Sequence, residues 1–342
     1  MTRNMIAFLI VLLSLNIALS PETVAVLPEV NNATMMDISG GEMFIIDDVE
    51  VKVYSLKDYR FLRKFGKRGE GPGEMVTFPD TPFTMIVKQD KVILNSVYKA
   101  IVYEKSGKMI LEAKFSEMLI EAVPVGDNYI TTRFEWVEET RTARASTFIC
   151  NAEFKEIKKI YETDLLQSYK TRKFAMPPLG TFVRCAGDRV FLFDQQKDTI
   201  KVFDPQGNPK PDITFKCERT KTDDTFKKRV SETLNTHPVL RNTDPRLKRM
   251  FYTPDVLPVF RDCRVIADRL YIQTYRQKGE KSEFIIMDFA GNVEKTLYLP
   301  VNDRIQIRYN PGSTYAFCDS KYYYLVENID NEEWELHVQE LD

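Results

Sequence analysis

Short apolar runs in this chain end in polar side chains that could coordinate a metal ion or bind a ligand. Asp47 and Asp48 follow one such run, Asn95 follows a second and Asp194 follows a third. Calcium binds six to eight oxygen ligands of this kind. The sequence therefore leaves two alternatives: a calcium site where these residues meet, or polar residues that simply end strands at the solvent edge.

Other kinds of catalytic site have little support in the residue types. His237 and His337 are the two histidines, so we propose neither a Ser-His-Asp triad nor a metal site built on histidine. The five cysteines have no zinc-ligand spacing and are odd in number. Each lies in or beside an apolar run, where a free cysteine behaves as a small core residue. We therefore expect mostly free thiols and no cofactor, with calcium as the open alternative.

Basic and aromatic residues in long polar stretches are the candidates for ligand binding. Arg133 and Trp136 belong to the polar stretch 133–144, and Tyr275 begins the stretch 275–282. Because long loops on a rigid scaffold often carry function, we group these residues with the polar residues that end the strands. The predicted ligand-binding residues are Asp48, Arg68, Asn95, Arg133, Trp136, Asp194, Tyr275 and Glu327.

A repeated strand pattern must position these side chains. Residues 187–194 and 199–203 show it clearly, as a tight polar turn, a β-run, a polar loop and a second β-run. The runs are rich in Val, Ile and Phe, as half-buried strands prefer. The pattern predicts successive units of four strands over residues 34–65, 83–115, 119–161, 181–217, 259–299 and 314 to the end.

Radial stacking of these units would protect their edges and bury their faces. The sequence therefore predicts an all-β fold over residues 21–342, a six-bladed β-propeller of four-stranded antiparallel blades. The last unit has only three clear strands. The orphan strand 23–27 can supply the fourth by pairing near residues 335–339, which would close the ring.

Residues 219–258 break the strand rhythm. Asp223 or Asp224 can cap a helix, and Asp244-Pro245 can open a second one that ends near Phe251. The sequence predicts a small helical insertion between blades four and five. The insertion is basic, so it is either a solvated excursion or a lid or partner surface.

The connector from Phe65 to Glu74 reads FGKRGEGPGE, and Pro79 and two short strands follow it. It lacks the helix start and the Lys-Ser/Thr pair of a phosphate-binding loop, so we expect an interblade turn. This stretch resembles an NHL-type repeat, and its Gly-Pro-Gly-Glu element resembles that of a bacterial family of six-bladed β-propellers, mostly exported proteins. Asn95 stands where NHL repeats often carry Asp, whereas Asp194 keeps the acid. The resemblance implies fold and export more than activity.

The N-terminus and the net charge bear on location and partners. Residues 1–20 have a short positive start, an apolar run and small residues near Ser20, which is typical of a signal peptide. Pro21 disfavours cleavage, so an N-terminal anchor is the alternative. We expect export to the periplasm or outside the cell.

The net charge of −2 gives no electrostatic case for binding to nucleic acid or for membrane contact beyond this segment.

The sequence favours a non-catalytic function. We expect a ligand or partner protein, peptide or carbohydrate to bind on the face of the propeller that carries the long loops. One alternative is a calcium-assisted hydrolase or lyase, similar to lactonase-type propellers, with its site at the channel mouth. A second alternative is a structural scaffold of the cell envelope.

Overall fold

Runs of period two joined by tight turns fold most of the described residues into strands. The computed structural model describes residues 22–76, 83–88, 90–139, 142–164, 173–215, 217–237, 240–242, 244–301 and 312–341. Residues 1–20, the predicted signal or anchor, lie outside the described residues. Among the described residues, no helix has the length and apolar composition needed to cross a membrane.

The first three blades follow one another after an N-terminal strand. The strands are β1 (Glu22–Val26); β2 (Ala33–Ser39), β3 (Glu42–Asp47), β4 (Glu50–Ser55) and β5 (Phe61–Phe65) in blade one; β6 (Thr84–Lys88), β7 (Lys91–Ser96), β8 (Lys99–Glu104) and β9 (Met109–Lys114) in blade two; and β10 (Met118–Val125), β11 (Asn128–Val137), β12 (Thr142–Cys150) and β13 (Glu156–Asp164) in blade three.

The last three blades include the helical insertion. The elements are β14 (Phe174–Ala175); β15 (Thr181–Ala186), β16 (Arg189–Asp194), β17 (Thr199–Phe203) and β18 (Pro209–Thr214) in blade four; α1 (Asp224–Thr236), α2 (Pro245–Lys248) and β19 (Phe251–Tyr252) in the insertion; β20 (Asp262–Ile266), β21 (Arg269–Lys278), β22 (Lys281–Asp288) and β23 (Val293–Pro300) in blade five; and β24 (Tyr315–Cys318), β25 (Lys321–Asn328) and β26 (Glu333–Glu340) in blade six.

These strands form six four-stranded antiparallel sheets, which confirms the predicted six-bladed β-propeller. The first strand of each blade lies innermost, where β24, β2, β6, β10, β15 and β20 contact one another in that order. The core lies between blades. For example, Phe44 and Val53 of blade one pack in one apolar cluster with Met85 and Leu94 of blade two. Burial of these facing surfaces is the main force that holds the ring together.

Ring closure follows the prediction. β1 pairs antiparallel with β26, with Thr23 opposite His337 and Val26 opposite Glu335. β1 thereby becomes the fourth strand of blade six. Because backbone hydrogen bonds join the two ends of the chain, neither the first nor the last blade is left incomplete.

Two stretches predicted to be long loops are extended hairpins instead. β11 continues to Val137 and β12 begins at Thr142, so most of the stretch 133–144 is paired strand. Similarly, β21 and β22 cover all of 275–282 except Gly279 and Glu280. In 133–136 polar and apolar residues alternate with the strand period, which favours continued pairing. The stretch 275–282 lacks this alternation, but its two halves still pair across the turn at Gly279 and Glu280. α2 also ends earlier than predicted, at Lys248 rather than near Phe251.

Candidate functional site

Strand direction places two kinds of loop on one side of the propeller. The turns between the second and third strands of each blade lie on the same side as the connectors between blades, because successive strands are antiparallel. We call this side the long-loop face, and the opposite side the short-turn face. The inner hairpins on the short-turn face close with only two residues, as at Gly126-Asp127 and Gly187-Asp188.

Two interblade connectors fold against each other on the long-loop face. β14, which precedes blade four, pairs in parallel with β19 of the insertion. The amide of Met176 also donates to the carbonyl of Tyr252 at 2.8 Å, and the Phe174 and Phe251 ring centres are 5.6 Å apart. These contacts join residues 174–176, at the entry to blade four, to residues 250–252 of the segment that leaves it, so these described parts of the two connectors form one surface.

The insertion has its own local supports. The Asp223 side chain caps α1 by accepting a hydrogen bond from the amide of Phe226 at 2.7 Å. Val230 is the buried residue of this helix. At the base of the insertion, the Thr222 hydroxyl donates to the carbonyl of Pro254 at 2.8 Å. The predicted cap at Asp223 or Asp224 is therefore Asp223.

The glycine-rich connector is an interblade turn whose amides already have acceptors. Gly69 N donates to the Met75 carbonyl at 3.0 Å, and Gly71 N donates to the Glu74 carboxylate at 3.0 Å. Gly73 N donates to Glu112 of blade two at 2.7 Å. A side chain at Gly69 would collide with Glu74. Because protein oxygens occupy these three amides, they are not available to hold a phosphate group.

Arg68 and Asp48, which the sequence nominated separately, lie together on the long-loop face. The Arg68 guanidinium donates to the Asp48 carboxylate at 2.6 Å, and both side chains are exposed. Asp48 adopts a left-handed backbone conformation, with φ of 59°, in the turn after β3. An exposed ion pair of this type contributes little to stability. A ligand that replaces one partner of the pair would therefore cost the protein little stability.

Asn95 and Asp194 are buried and join neighbouring blades. Asn95 donates through Nδ2 to Thr84 at 3.0 Å and to the carbonyl of Ala122 in blade three at 3.4 Å. Asp194 accepts from the hydroxyl of Tyr161 in blade three at 2.8 Å. Binding calcium through the Asp194 carboxylate would require its contact with Tyr161 to break, whereas the Oδ1 atom of Asn95 is buried and has no donor among the described residues. Among the described residues, no group of three or more His, Cys, Asp or Glu side chains could hold a metal ion.

Arg133 is buried within blade three rather than exposed in a loop. Its guanidinium carbon lies 4.8 Å from the ring centre of Phe115 and 4.9 Å from that of Phe148. Its Nη1 atom donates to Glu156 at 2.5 Å. The side chain is only 5 % exposed, so its contacts are those of a packing residue between the strands of the blade. The sequence placed it on a surface loop because the polar pattern of β11 resembles a loop.

Trp136, Tyr275 and Glu327 lie at the long-loop ends of three blades. Trp136 is 50 % exposed, and its indole donates to Glu138 at 2.5 Å. Tyr275 is half-buried, with the Arg261 guanidinium 5.9 Å from its ring centre. Glu327 is exposed near the end of β25. Of these three, Trp136 offers the largest aromatic surface to solvent.

A buried charged cluster on the inner strands was missed by the sequence analysis. Arg184 of blade four reaches Glu121 of blade three at 3.3 Å and Asp262 of blade five at 3.2 Å. Tyr315 of blade six donates to Asp262 at 2.9 Å. The cluster therefore spans four blades. The signal that could have found it is a charged residue within the first strand of each of blades three, four and five.

The environment of this cluster also affects the protonation of Glu121. Its carboxylate also accepts from the amide of Val183 in the neighbouring blade. Burial raises the pKa of Glu121 to about 7, although the nearby Arg184 guanidinium opposes the rise.

All five cysteines are free thiols, and burial raises the pKa of Cys318 to about 11.

The fold resembles solved structures at low sequence identity. A candidate exported protein from Bacteroides fragilis aligns with a TM-score of 0.55 and 13 % identity over 91 % of each chain. A member of the DUF4221 family from Bacteroides vulgatus aligns with a TM-score of 0.49 and 9 % identity, over 91 % of this chain and 93 % of that chain. The likeness is one of fold. No family model matches this chain, and no curated protein matches it in sequence.

Proposed function

We propose that this chain is an exported, non-catalytic β-propeller that binds a protein, peptide or carbohydrate ligand on its long-loop face. The observation that carries the proposal is the pairing of β14 with β19, which joins the described parts of two long connectors into one surface. Ring closure does not require connectors of this length, since blades two and three are joined by only three residues, 115–117. Ordered long loops on a rigid scaffold usually carry function.

The chemistry of this surface favours an anionic ligand with apolar parts. Residues 219–258 contain nine basic and five acidic residues, a net charge of +4 in a chain of net charge −2. Lys227 and Arg246 are exposed in this segment. Tyr252 and Val256 are 42 % and 40 % exposed and add apolar area beside the charges. Arginine binds carboxylates with paired hydrogen bonds, and exposed aromatic rings supply contact area.

We also propose that the protein is exported and that its glycine-rich connector belongs to an NHL-type repeat. The signal-like residues 1–20 and the glycine-rich connector support a periplasmic or extracellular binding protein. N-terminal sequencing of the protein recovered from the cell envelope distinguishes a cleaved signal from a retained anchor. A chain that begins after Ser20 supports cleavage.

The test compares charge reversal on the two faces. Lys227→Glu with Arg246→Glu changes the long-loop face, whereas Lys57→Glu with Lys155→Glu makes the same change in exposed turns of the short-turn face. The probes are an acidic decapeptide library and a glycan array that includes uronic acids. We expect the first variant to lose at least tenfold in affinity for the probes that bind, and the second to retain it.

Two further measurements separate binding from the alternatives. Trp136→Ala with Tyr252→Ala should weaken the same probes while the melting temperature changes by less than about 3 °C, because both side chains are largely exposed. Calcium-dependent hydrolysis of aliphatic lactones by the wild-type protein would contradict the proposal in favour of an enzyme. Equal loss in the two charge-reversal variants would place the site elsewhere.

A further inference from the structure

The fourth strand of each blade is its outermost strand, and in blades one, two and three it carries the same irregularity. In blade one the partners of two successive residues of β4 are Phe61 and Arg63, so Leu62 is an extra residue without a partner on β4. The same bulge, one residue after the strand begins, makes Ile110 the extra residue of β9 and Ile157 that of β13. We call these three the bulge residues. They lie at one level of the ring, beside the short-turn face.

The bulge residues are apolar and open to solvent. Leu62, Ile110 and Ile157 are 36 %, 49 % and 60 % exposed, respectively. A bulge in an edge strand discourages pairing with other chains, but this protection does not need an apolar side chain. In blade five the equivalent extra residue is Glu294. Edge protection therefore does not explain why three successive blades present an apolar residue here.

The turns beside the bulge residues are basic. We compare each turn between a third and a fourth strand, taken together with the first four residues of the fourth strand. In blades one to three these segments hold nine basic and four acidic residues, over 56–64, 105–112 and 151–159. In blades four and five they hold two basic and three acidic residues, over 204–212 and 289–296. The rim of blades one to three is therefore locally positive, although the whole chain has a net charge of −2.

The N-terminal part of the chain joins the propeller beside this rim. β1 is the fourth strand of blade six, and Glu22 at its start lies opposite Val338, near the short-turn end of β26. Blade six is next to blade one in the ring, because β24 contacts β2. Residues 1–20, which have the composition of a signal peptide or anchor, therefore connect to the propeller on its short-turn side, next to blade one. A membrane that held this segment would lie near the same rim.

We propose that the short-turn rim of blades one to three binds an anionic lipid surface, with the bulge residues inserted at the level of the headgroups. Binding at a lipid interface increases with the apolar area buried and with the attraction between basic residues and anionic lipids. The exposed Lys57 and Lys155 lie in the turns beside the outer bulge residues.

The spacing of the bulge residues favours lipid over a protein partner. They lie one blade apart rather than in one contiguous patch. A fluid lipid surface accepts separate insertions, whereas a protein interface packs a continuous core against its partner. The rim includes none of the residues of the long-loop surface, so this proposal is independent of the function proposed above.

The test measures binding to vesicles of the protein that begins at Pro21, which lacks the apolar N-terminal segment. In flotation assays we expect binding to vesicles of phosphatidylcholine and phosphatidylglycerol in equal parts, at least tenfold tighter than to phosphatidylcholine alone. The combined variant Leu62→Ser, Ile110→Ser and Ile157→Ser should lose at least tenfold in affinity for the mixed vesicles. Val293→Ser with Ile329→Ser is the matched control, because these side chains are 56 % and 78 % exposed outside this rim, and it should bind like the wild type.

Two further variants address charge and insertion separately. Lys57→Glu with Lys155→Glu should weaken binding to the mixed vesicles at least fivefold. Ile110→Trp should shift its fluorescence emission to shorter wavelength on the mixed vesicles, relative to the wild type, and brominated lipids should quench it. Val293→Trp should show neither change. Near-ultraviolet circular dichroism verifies the fold of each variant.

Three results would overturn the proposal. The first is the absence of binding to the mixed vesicles by the folded wild-type protein. The second is binding that survives the triple serine variant, or equal loss in that variant and its control. The third is self-association of the wild type in analytical ultracentrifugation that the triple variant abolishes, without vesicle binding, because the rim would then be a contact between proteins.

Discussion

At the scale of single residues, polar side chains in this propeller serve two separate purposes. Asn95 and Asp194 are buried and bond neighbouring blades, whereas Asp48 stays exposed on the long-loop face. A similar sequence context, a polar residue after an apolar run, precedes both outcomes. Burial decides the difference, because an enclosed polar group must find a partner within the protein.

Glu121 should make stability depend on pH. Its pKa is about 7 in the folded state, above the ordinary value of 4.5, because burial disfavours the charged form. The folded state therefore holds the proton more tightly. This contribution to stability is complete below about pH 4.5 and is lost as pH rises to about 7, a loss on the order of 3 kcal/mol.

Glu121→Gln removes this titration. Urea unfolding between pH 4.5 and 8 should show the stability of the variant rising relative to the wild type up to about pH 7, then remaining level. Glu153→Gln, at an exposed turn, is the control. Parallel curves for Glu121→Gln and the wild type over this range would contradict the assignment.

At the scale of elements, the insertion depends on local caps and on strand pairing rather than on a large apolar core. In α1 the buried residue is Val230. The helix therefore depends strongly on its N-terminal cap and on the nearby pairing of β14 with β19. Elements with few buried contacts open more readily than core strands.

Asp223→Ala should loosen α1 without unfolding the propeller. Loss of an N-terminal cap costs about 1 kcal/mol, so hydrogen exchange of the amides in 224–236 should accelerate roughly fivefold while the blade strands keep their protection. Asp224→Ala is the matched control, since the neighbouring Asp224 does not supply the cap. Equal acceleration in the two variants would show that the cap is not what holds the helix.

At the scale of the whole molecule, the ring is held by interblade packing and closed by one strand. β1 pairs with β26, and just after it Leu27 is fully buried, with its amide bonded to the carbonyl of Trp334 at 2.8 Å. The charged cluster of Glu121, Arg184 and Asp262 adds a second kind of connection across blades three, four and five.

Removal of the closing strand should lower the stability of the entire ring. A protein that begins at residue 28 loses the β1–β26 hydrogen bonds, at roughly 1 kcal/mol each, together with the burial of Leu27. We expect its melting temperature to fall by more than about 5 °C relative to a protein that begins at Glu22. Equal melting temperatures in calorimetry would show that closure through β1 is dispensable.

The sequence alone determined the architecture, because its signals are local. Strand period, two-residue turns and an orphan N-terminal strand are each readable within about ten residues, and they led to six blades, their approximate bounds and the closure of the ring. The start of the helix, with its cap at Asp223 or Asp224, was readable for the same reason. Only the tertiary structure decided which polar residues meet. Arg184 contacts partners 63 and 78 positions away along the chain, and Arg133 is enclosed by rings contributed from two other segments. Such contacts depend on how neighbouring blades pack, and no short stretch of sequence encodes that packing.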